Sequence, residues 1–205
     1  MQDINQKSTT QIYNDWAIQY KKSCEDFVFP GNMFEYFLDE LSGKKILDVW
    51  CAFWRDVMRL RAVWYEAYGI DISQELLTLA DSSVSHFLFE WDITNLDKLY
   101  SNSSFDWIIS SVSIVHLDKN IALKALEDIF NLLQNSWVFF LTLKISESWD
   151  TIFKNSTSLP GVQKKYVYYK ESEILKILEE IWLNIYKTHI YHNETDDWMS
   201  IICKK

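Results

Sequence analysis

The stretch KKILDVWCAFWRD, residues 44–56, decides the fold. Residues 45–49 form a short apolar and β-branched run that is entered through Ser42-Gly43, which predicts a strand. A short loop and a helical pattern over residues 56–63 follow at once. A strand, a tight loop and a helix in immediate succession are typical of an α/β unit, in which the next strand returns parallel to the first.

The rest of the chain repeats this alternation. The pattern predicts further strands at residues 66–70, 87–89, 105–112 and 138–143, and further helices at residues 11–22, 32–41, 120–133, 171–181 and after the N-cap Ser73. Strands 183–191 and 198–203 have only the turn residues 193–197 between them, so we expect an antiparallel pair at the sheet edge. We therefore predict a mostly parallel sheet with helices on both faces, and an irregular loop over residues 146–165.

The composition describes one globular domain. The chain has 205 residues, of which 48% are hydrophobic and 24% charged, which is enough for one core. Its formal net charge of -9 disfavours nucleic acid and anionic membranes as partners. The polar N-terminus and the lack of a long apolar run predict no targeting peptide and no membrane span, so we expect a cytoplasmic protein. Cys24, Cys51 and Cys203 have no paired spacing, so we predict free thiols and no metal site.

Glycine is unusually rare in this chain and tryptophan is unusually common. There are four glycines and ten tryptophans, whereas glycine normally makes up about 7% of residues. A domain of this size usually needs more residues with positive φ than four glycines supply. The positions of the tryptophans therefore bear directly on the function.

Acidic and hydroxyl side chains follow successive predicted strands. Asp48, Asp71 and Asp92 lie at or just after the first three strands, and Ser110 and Ser113 at the end of the fourth. The carboxyl ends of parallel strands meet at one sheet edge, where open α/β sheets bind ligands. Asp71 follows the first loop at an interval close to that at which a carboxylate accepts both hydroxyls of a nucleoside ribose.

These segments resemble the class I S-adenosylmethionine-dependent methyltransferases, specifically the small stand-alone type. The resemblance is carried by KKILDVWCAFWRD, YGIDIS, WDITNLD, FDWIISSVSIVHLDK and the closing strand pair, and it extends from about Gly43 to the C-terminus. It implies a single-domain Rossmann-like α/β fold, with S-adenosylmethionine (SAM) as the cofactor. The resemblance also implies which residues lie at the cofactor: Asp48 near the methionine portion, Asp71 and Ile72 at the ribose, and Asp92 with Ile93 beside the adenine.

The loop after the first strand departs from the family pattern. That pattern has glycine at positions 50, 52 and 54, where this chain has Trp50, Ala52 and Trp54. Glycine lets the loop turn tightly and bring its N–H groups against the ligand. A tryptophan side chain buries about 150–250 Å², so we expect two of them to fill or distort the cofactor site. We interpret the chain as derived from a methyltransferase whose glycines were exchanged.

Tryptophan also stands at other positions where the chain turns. Trp64 and Trp182 follow predicted helices, where a C-cap glycine is expected, and Trp137 occupies the helix-to-strand turn before the fifth strand. Trp16 and Trp198 lie among aromatic neighbours and are interpreted as ordinary residues of the fold. Strain at several such positions puts stable folding itself in question.

We expect SAM binding and methyl transfer to be lost, because a donor that is not positioned cannot react. No catalytic residue and no metal ligand is predicted. Two other functions stay open, an active methyltransferase on a small-molecule acceptor and a non-catalytic binding module with an aromatic surface. Residues 43–205 are predicted to form the methyltransferase-type domain, and residues 1–42 a helical segment that packs on it.

Several polar residues on the acceptor side have two interpretations. His116 is either a substrate contact or general base, or a loop histidine that closes a helix start. Lys144 and Tyr168 could line the acceptor pocket, but we interpret Lys144 as a solvated strand end. His189 and His192 lack a carboxylate or cysteine partner in the sequence pattern, which makes a metal site there a weak hypothesis.

Overall fold

The computed structural model describes residues 7–27, 33–39 and 43–205. The α-helices are α1 (Thr9–Asp15), α2 (Ala17–Cys24), α3 (Met33–Asp39), α4 (Arg55–Ala62), α5 (Gln74–Thr78), α6 (Leu96–Leu99), α7 (Lys119–Leu132) and α8 (Glu171–Glu180). The strands are β1 (Lys45–Val49), β2 (Glu66–Asp71), β3 (Leu88–Glu90), β4 (Phe105–Ser111), β5 (Leu133–Ile145), β6 (Thr151–Asn155), β7 (Gln163–Val167), β8 (Asn184–His192) and β9 (Asp197–Lys204).

The predicted α/β sheet is confirmed. Seven strands form one sheet in the order β3-β2-β1-β4-β5-β9-β8. The pairs from β3 to β5 are parallel, whereas β9 is antiparallel to both β5 and β8. The closing hairpin therefore extends one edge of the sheet, as the absence of a helix between its strands predicts.

The core lies on both faces of this sheet because successive side chains of a strand point to opposite faces. In β1, Leu47 packs with the apolar face of α7, and its neighbour Ile46 packs on the other face with Trp107 and Phe140. The aliphatic stripe of α7 covers the first face at helical spacing. The apolar pattern of the strands thus determines which helices each face receives.

Several predictions made from the sequence are wrong in detail. Residues 11–22 form two helices rather than one, because the backbone breaks at Trp16 with φ -120° and ψ 22°. Part of the predicted helix at residues 32–41 lies outside the described residues. β5 begins at Leu133 directly after α7, so Trp137 lies within a strand whose register is irregular and not in a turn.

The segment predicted as a loop over residues 146–165 holds a strand. β6 pairs with β7 in a separate antiparallel sheet, with Phe153 opposite Lys165. β6 alternates between exposed and half-buried residues, and β7 includes Lys164 and Lys165, so neither strand forms a continuous apolar run in the sequence. Within the described ranges, no helix combines the length and the apolar character needed to cross a membrane.

Candidate functional site

The carboxyl ends of β1 to β4 meet at one edge of the sheet. β1 lies between β2 and β4, with Asp48 in register with Gly69 on one side and Ile109 on the other. The chain passes from β1 outward to β3 and then returns to β4 on the far side of β1. This reversal of strand order opens the crevice in which sheets of this kind bind ligands.

The loop between β1 and α4 has a left-handed backbone at alternate residues. φ is 93° at Trp50, 53° at Ala52 and 103° at Trp54. The N–H groups of Trp50 and Cys51 both donate to the carbonyl of Ile70, at 2.8 and 2.9 Å, which fixes the loop on β2. Positive φ is a genuine outlier for a bulky residue, whereas glycine adopts it freely.

Asp71 ends β2 beneath this loop and is 2% exposed. Its Oδ2 accepts a hydrogen bond from the N–H of Ala52 at 2.9 Å, and its Oδ1 accepts one from the N–H of Ser73 at 2.8 Å. Burial raises the pKa of Asp71 to about 6, and these backbone donors oppose the rise. The carboxylate therefore joins the loop, β2 and the start of α5.

Asp48, in β1, is also buried, at 4% exposure. Burial raises its pKa well above the usual range, the carboxylate of Asp56 raises it further, and Arg55 opposes both. Asp56, in the first turn of α4, is paired with Arg55 at 2.5 Å and with Arg59 at 3.3 Å. The surroundings of Asp48 thus favour its neutral, protonated form.

An open pocket of about 460 Å³ lies beyond β2 and β3. It is lined by Ile72, Glu90, Trp91, Asp92, Asn95 and Lys98. Trp91 is held in place because its Nε1 donates to the carbonyl of Asn95 at 2.8 Å. The structure thus brings Ile72 and Asp92 together at one pocket.

The other predicted cofactor residues do not line this pocket. Asp48, Asp71 and Ile93 are each at most 4% exposed, and the side chain of Ile93 packs into the core beneath. The predicted adenine pair is therefore split, with Asp92 at the pocket and Ile93 below it.

The indoles of Trp50 and Trp54 take different directions. Trp50 is half-buried between the core of the sheet and a cluster formed by the N-terminal helices, and its ring lies 6.0 Å from that of His116. Trp54 turns toward α5, where its Nε1 donates to the carbonyl of Leu79 at 3.2 Å, and Lys21 lies over its ring. The ring of Trp50 therefore lies near His116, which follows β4, whereas that of Trp54 packs toward α5.

Comparison with known proteins agrees with this geometry. A sequence profile of the methyltransferase domain family matches residues 46–136, which include β1, the loop after it and β2 to β4. Residues 46–136 thus match the methyltransferase domain family, and the chain has the class I methyltransferase fold. A search of curated proteins finds no match for the chain.

Solved structures share the architecture of this methyltransferase domain at low sequence identity. A SAM-dependent methyltransferase from Methanosarcina mazei superposes with a TM-score of 0.71 at 16% identity, covering 87% of this chain and 98% of that one. Magnesium protoporphyrin IX methyltransferase from Synechocystis, solved with bound SAM, gives 0.70 at 13% identity, with 98% and 99% covered. The cyclase SpnF gives 0.72 at 13% identity, with 98% of each chain covered. Proteins of this fold thus include one named for a different reaction.

The residues of the domain fit SAM only in part. The path of the loop, the buried Asp71 and the pocket at Ile72 and Asp92 suit a nucleoside ligand. The indole of Trp50 is half-buried between the sheet core and the cluster of the N-terminal helices. A bulky side chain at position 50 is the feature that departs from a loop of this kind, in which glycine lets the backbone approach the ligand.

A chain of hydrogen bonds joins His116, which follows β4, to Tyr13 of α1 and Lys164 of β7. Lys164 Nζ donates to the hydroxyl of Tyr13 at 3.1 Å, and that hydroxyl lies 3.1 Å from His116 Nε2. His116 Nδ1 lies 3.0 Å from the carbonyl of Lys165, so Nδ1 carries the proton and Nε2 accepts from Tyr13. Burial and, to a lesser extent, the charge of Lys164 lower the pKa of His116 to about 3, so the imidazole is neutral. His116 thus belongs to a buried network and does not merely close a helix start.

The prediction that Lys144 is a solvated strand end is wrong. Lys144 is 2% exposed, and its Nζ donates to Asp196 Oδ2 at 2.8 Å. Tyr168 donates to the other oxygen of Asp196 at 2.5 Å, and Lys154 pairs with the same oxygen. Burial lowers the pKa of Lys144 to about 8 against the effect of Asp196. A charged side chain on β5 can be buried because the turn before β9 supplies its carboxylate.

Sequence reasoning missed three residues of this region. Tyr13 was not singled out, and Lys164 lies on β7, within a segment predicted to be a loop. The sequence predicts Asp196 only as one of the turn residues 193–197. The lysines beside the aromatic residues of KKYVYY, residues 164–169, are the sequence feature from which a buried lysine could have been predicted. Within the described ranges no group of three His, Cys, Asp or Glu side chains is arranged to hold a metal ion.

Proposed function

We propose that the methyltransferase domain, with the residues of this sequence, does not hold SAM and does not transfer methyl groups. The observation that supports this proposal is the position of Trp50. Its ring packs between the sheet core and the N-terminal helices and lies 6.0 Å from His116. A ligand at the switch point of the strand order would need this space.

The second observation is the direction of the loop N–H groups. The N–H of Ala52 already donates to Asp71, and those of Trp50 and Cys51 donate to Ile70. These bonds hold the loop against β2 and Asp71. The obstacle is a side chain, so the proposed defect is steric and reversible.

A second function is favoured by the same geometry. With glycine at positions 50 and 54, we infer that the domain acts as a SAM-dependent methyltransferase on a small-molecule acceptor. The pocket at Ile72 and Asp92, the buried Asp71 and the polar network of Tyr13, His116 and Lys164 support this inference. Methyl transfer depends mainly on holding the donor and the acceptor in line, so access to the crevice is the decisive requirement.

The test is calorimetric titration of the full chain with SAM, in parallel with the double variant Trp50→Gly/Trp54→Gly. We expect no saturable heat from the chain as written and saturable binding near micromolar concentration from the variant. Trp64→Gly/Trp182→Gly is the matched control, because these two residues also have positive φ but lie at helix ends. A cooperative thermal transition is required of each protein before titration. Micromolar binding by the chain as written would refute the proposal.

A further inference from the structure

The tryptophans of this domain occupy backbone that normally belongs to glycine. Trp50, Trp54, Trp64 and Trp182 have φ values of 93°, 103°, 73° and 68°. Among the residues that the structure describes, Gly161 is the only glycine with positive φ. Left-handed backbone costs an L-residue roughly 1–2 kcal/mol. Tryptophan is therefore unexpected at any one of these positions, and it occupies all four of them.

Two of the four positions have the same local structure. At the end of α4, Trp64 N–H donates to the carbonyl of Arg61 and Tyr65 N–H to that of Leu60. At the end of α8, the N–H groups of Trp182 and Leu183 donate in the same pattern to the carbonyls of Glu179 and Leu178. This pair of bonds is the Schellman motif, whose left-handed residue is usually glycine.

The side chains at the helix ends gain nothing from packing. Trp64 is 86% exposed and Trp182 is 78% exposed. An indole that stays in water buries little apolar surface, so its packing does not offset the strain of its left-handed backbone. Selection for packing or for binding at a shared site therefore does not explain why both positions are tryptophan.

The composition points the same way. The chain has four glycines and ten tryptophans. If the four tryptophans with positive φ were glycine, the chain would have eight glycines, about 4% of its residues, nearer to the usual content of about 7%. The excess of tryptophan thus accounts for part of the deficit of glycine.

We infer that positions 50, 54, 64 and 182 carry glycine in the cell that makes this protein, encoded by UGA, and that the SAM site is open in that form. UGA is one base away from both UGG, the tryptophan codon, and GGA, a glycine codon. It is a stop codon in the standard code, and its meaning differs between genetic codes. A gene that uses UGA for glycine, translated with UGA as tryptophan, yields tryptophan at each glycine that this codon encodes.

The inference makes a distinction among the tryptophans. Trp16 has φ -120°, and Trp198 stacks on Tyr191 with ring centroids 6.2 Å apart and planes 4° apart. Neither residue has the positive φ that favours glycine, so we expect the codon UGG at both positions. Ala52 has φ 53° and a small side chain, and it remains alanine. The cofactor loop of the cellular protein would then read Gly-Cys-Ala-Phe-Gly.

The test is the nucleotide sequence of the gene, followed by peptide mass spectrometry of the protein isolated from its own cell. We expect UGA codons at the four positions and UGG codons at positions 16 and 198. The measured peptide masses should correspond to glycine at positions 50 and 54. UGG at the four positions would overturn the inference, and so would UGA codons whose peptides contain tryptophan. Neither readout depends on SAM, so the inference and the proposed function can fail separately.

Discussion

The cofactor loop and the helix ends place the same residue on the same backbone with different consequences. In the loop, Trp50 and Trp54 are half-buried, and the ring of Trp50 crosses toward His116. At the ends of α4 and α8, Trp64 and Trp182 extend into solvent. The two regions share a main-chain conformation and nothing of their side-chain surroundings. The shared conformation is one that glycine adopts freely, and we expect an effect on ligand binding only in the loop.

The largest expected effect separates the two loop tryptophans. Trp50→Gly alone should tighten SAM binding by about 100-fold, equivalent to about 2.7 kcal/mol, because its ring lies in the crevice. Trp54→Gly alone should change the affinity by less than about 10-fold, because its indole is bonded to Leu79 outside the crevice. Calorimetric titration of both single variants measures the difference. Equal effects would show that strain in the loop, and not the position of one ring, controls binding.

A second prediction concerns Lys164, in the buried network of Tyr13 and His116 that lies next to Trp50. Burial lowers the pKa of Lys164 from 10.5 to about 8. Between these values the unfolded chain binds more protons than the folded one, so this residue makes stability rise with pH across that window. Lys164→Met should remove a rise of roughly 2 kcal/mol in the free energy of unfolding between about pH 8 and 10.5. Urea denaturation at a series of pH values measures it.

The control for this experiment is Lys176→Met, at a lysine whose side chain is 75% exposed on α8. This variant removes a lysine but leaves the buried network intact. If Lys164→Met and Lys176→Met alter the pH dependence equally, the buried network contributes nothing.

Asp71 provides a third test, because it connects the loop to β2 whatever stands at position 50. Asp71→Asn replaces one of the two oxygens that accept from Ala52 and Ser73 with an amide donor. We expect a loss of about 1–3 kcal/mol in the free energy of unfolding at pH 8. Asp81→Asn is the matched control, since Asp81 accepts from Ser83 N–H at the surface. A loss no larger than that of the control would show that the loop does not depend on the carboxylate.

The smallest expected effect lies at the helix ends. Trp64→Gly and Trp182→Gly should each stabilise the domain by about 1 kcal/mol, or raise Tm by about 2–4 °C. Trp16→Gly should lower Tm, because Trp16 has negative φ. Differential scanning fluorimetry of the three variants distinguishes the outcomes. A fall in Tm for Trp64→Gly would mean that its indole stabilises the fold in spite of its exposure.

The sheet could be predicted from the sequence because its strands are short apolar runs between turn residues. Residues 45–49 and the Ser73 N-cap were placed correctly, since KILDV is apolar and β-branched and Ser73 Oγ accepts from Leu76 N–H. The sequence does not predict β6 and β7, because β6 is at most half-buried and both strands contain lysines. Periodicity over five residues is too short to separate such strands from a loop.

The candidate site was predictable to the level of the sheet edge but not of individual contacts. The order of strands brings Asp48, Asp71 and Asp92 to that edge, which topology alone indicates. Which carboxylates are buried depends on tertiary contacts such as those of Asp71 with Ala52 and Ser73. The pairing of Lys144 with Asp196 joins residues 52 positions apart, beyond the reach of any local pattern.

The first helix has a consequence for where the domain can be cut. Tyr13 reaches His116, and Asn14 Oδ1 accepts a hydrogen bond of 2.6 Å from Ser73 Oγ, so α1 forms one wall of the crevice. A truncated protein that starts at Gly43 would keep the whole seven-stranded sheet and lose that wall. Such a fragment would expose the apolar surroundings of Trp50 to water, so residues before the sheet should be kept in any shortened version.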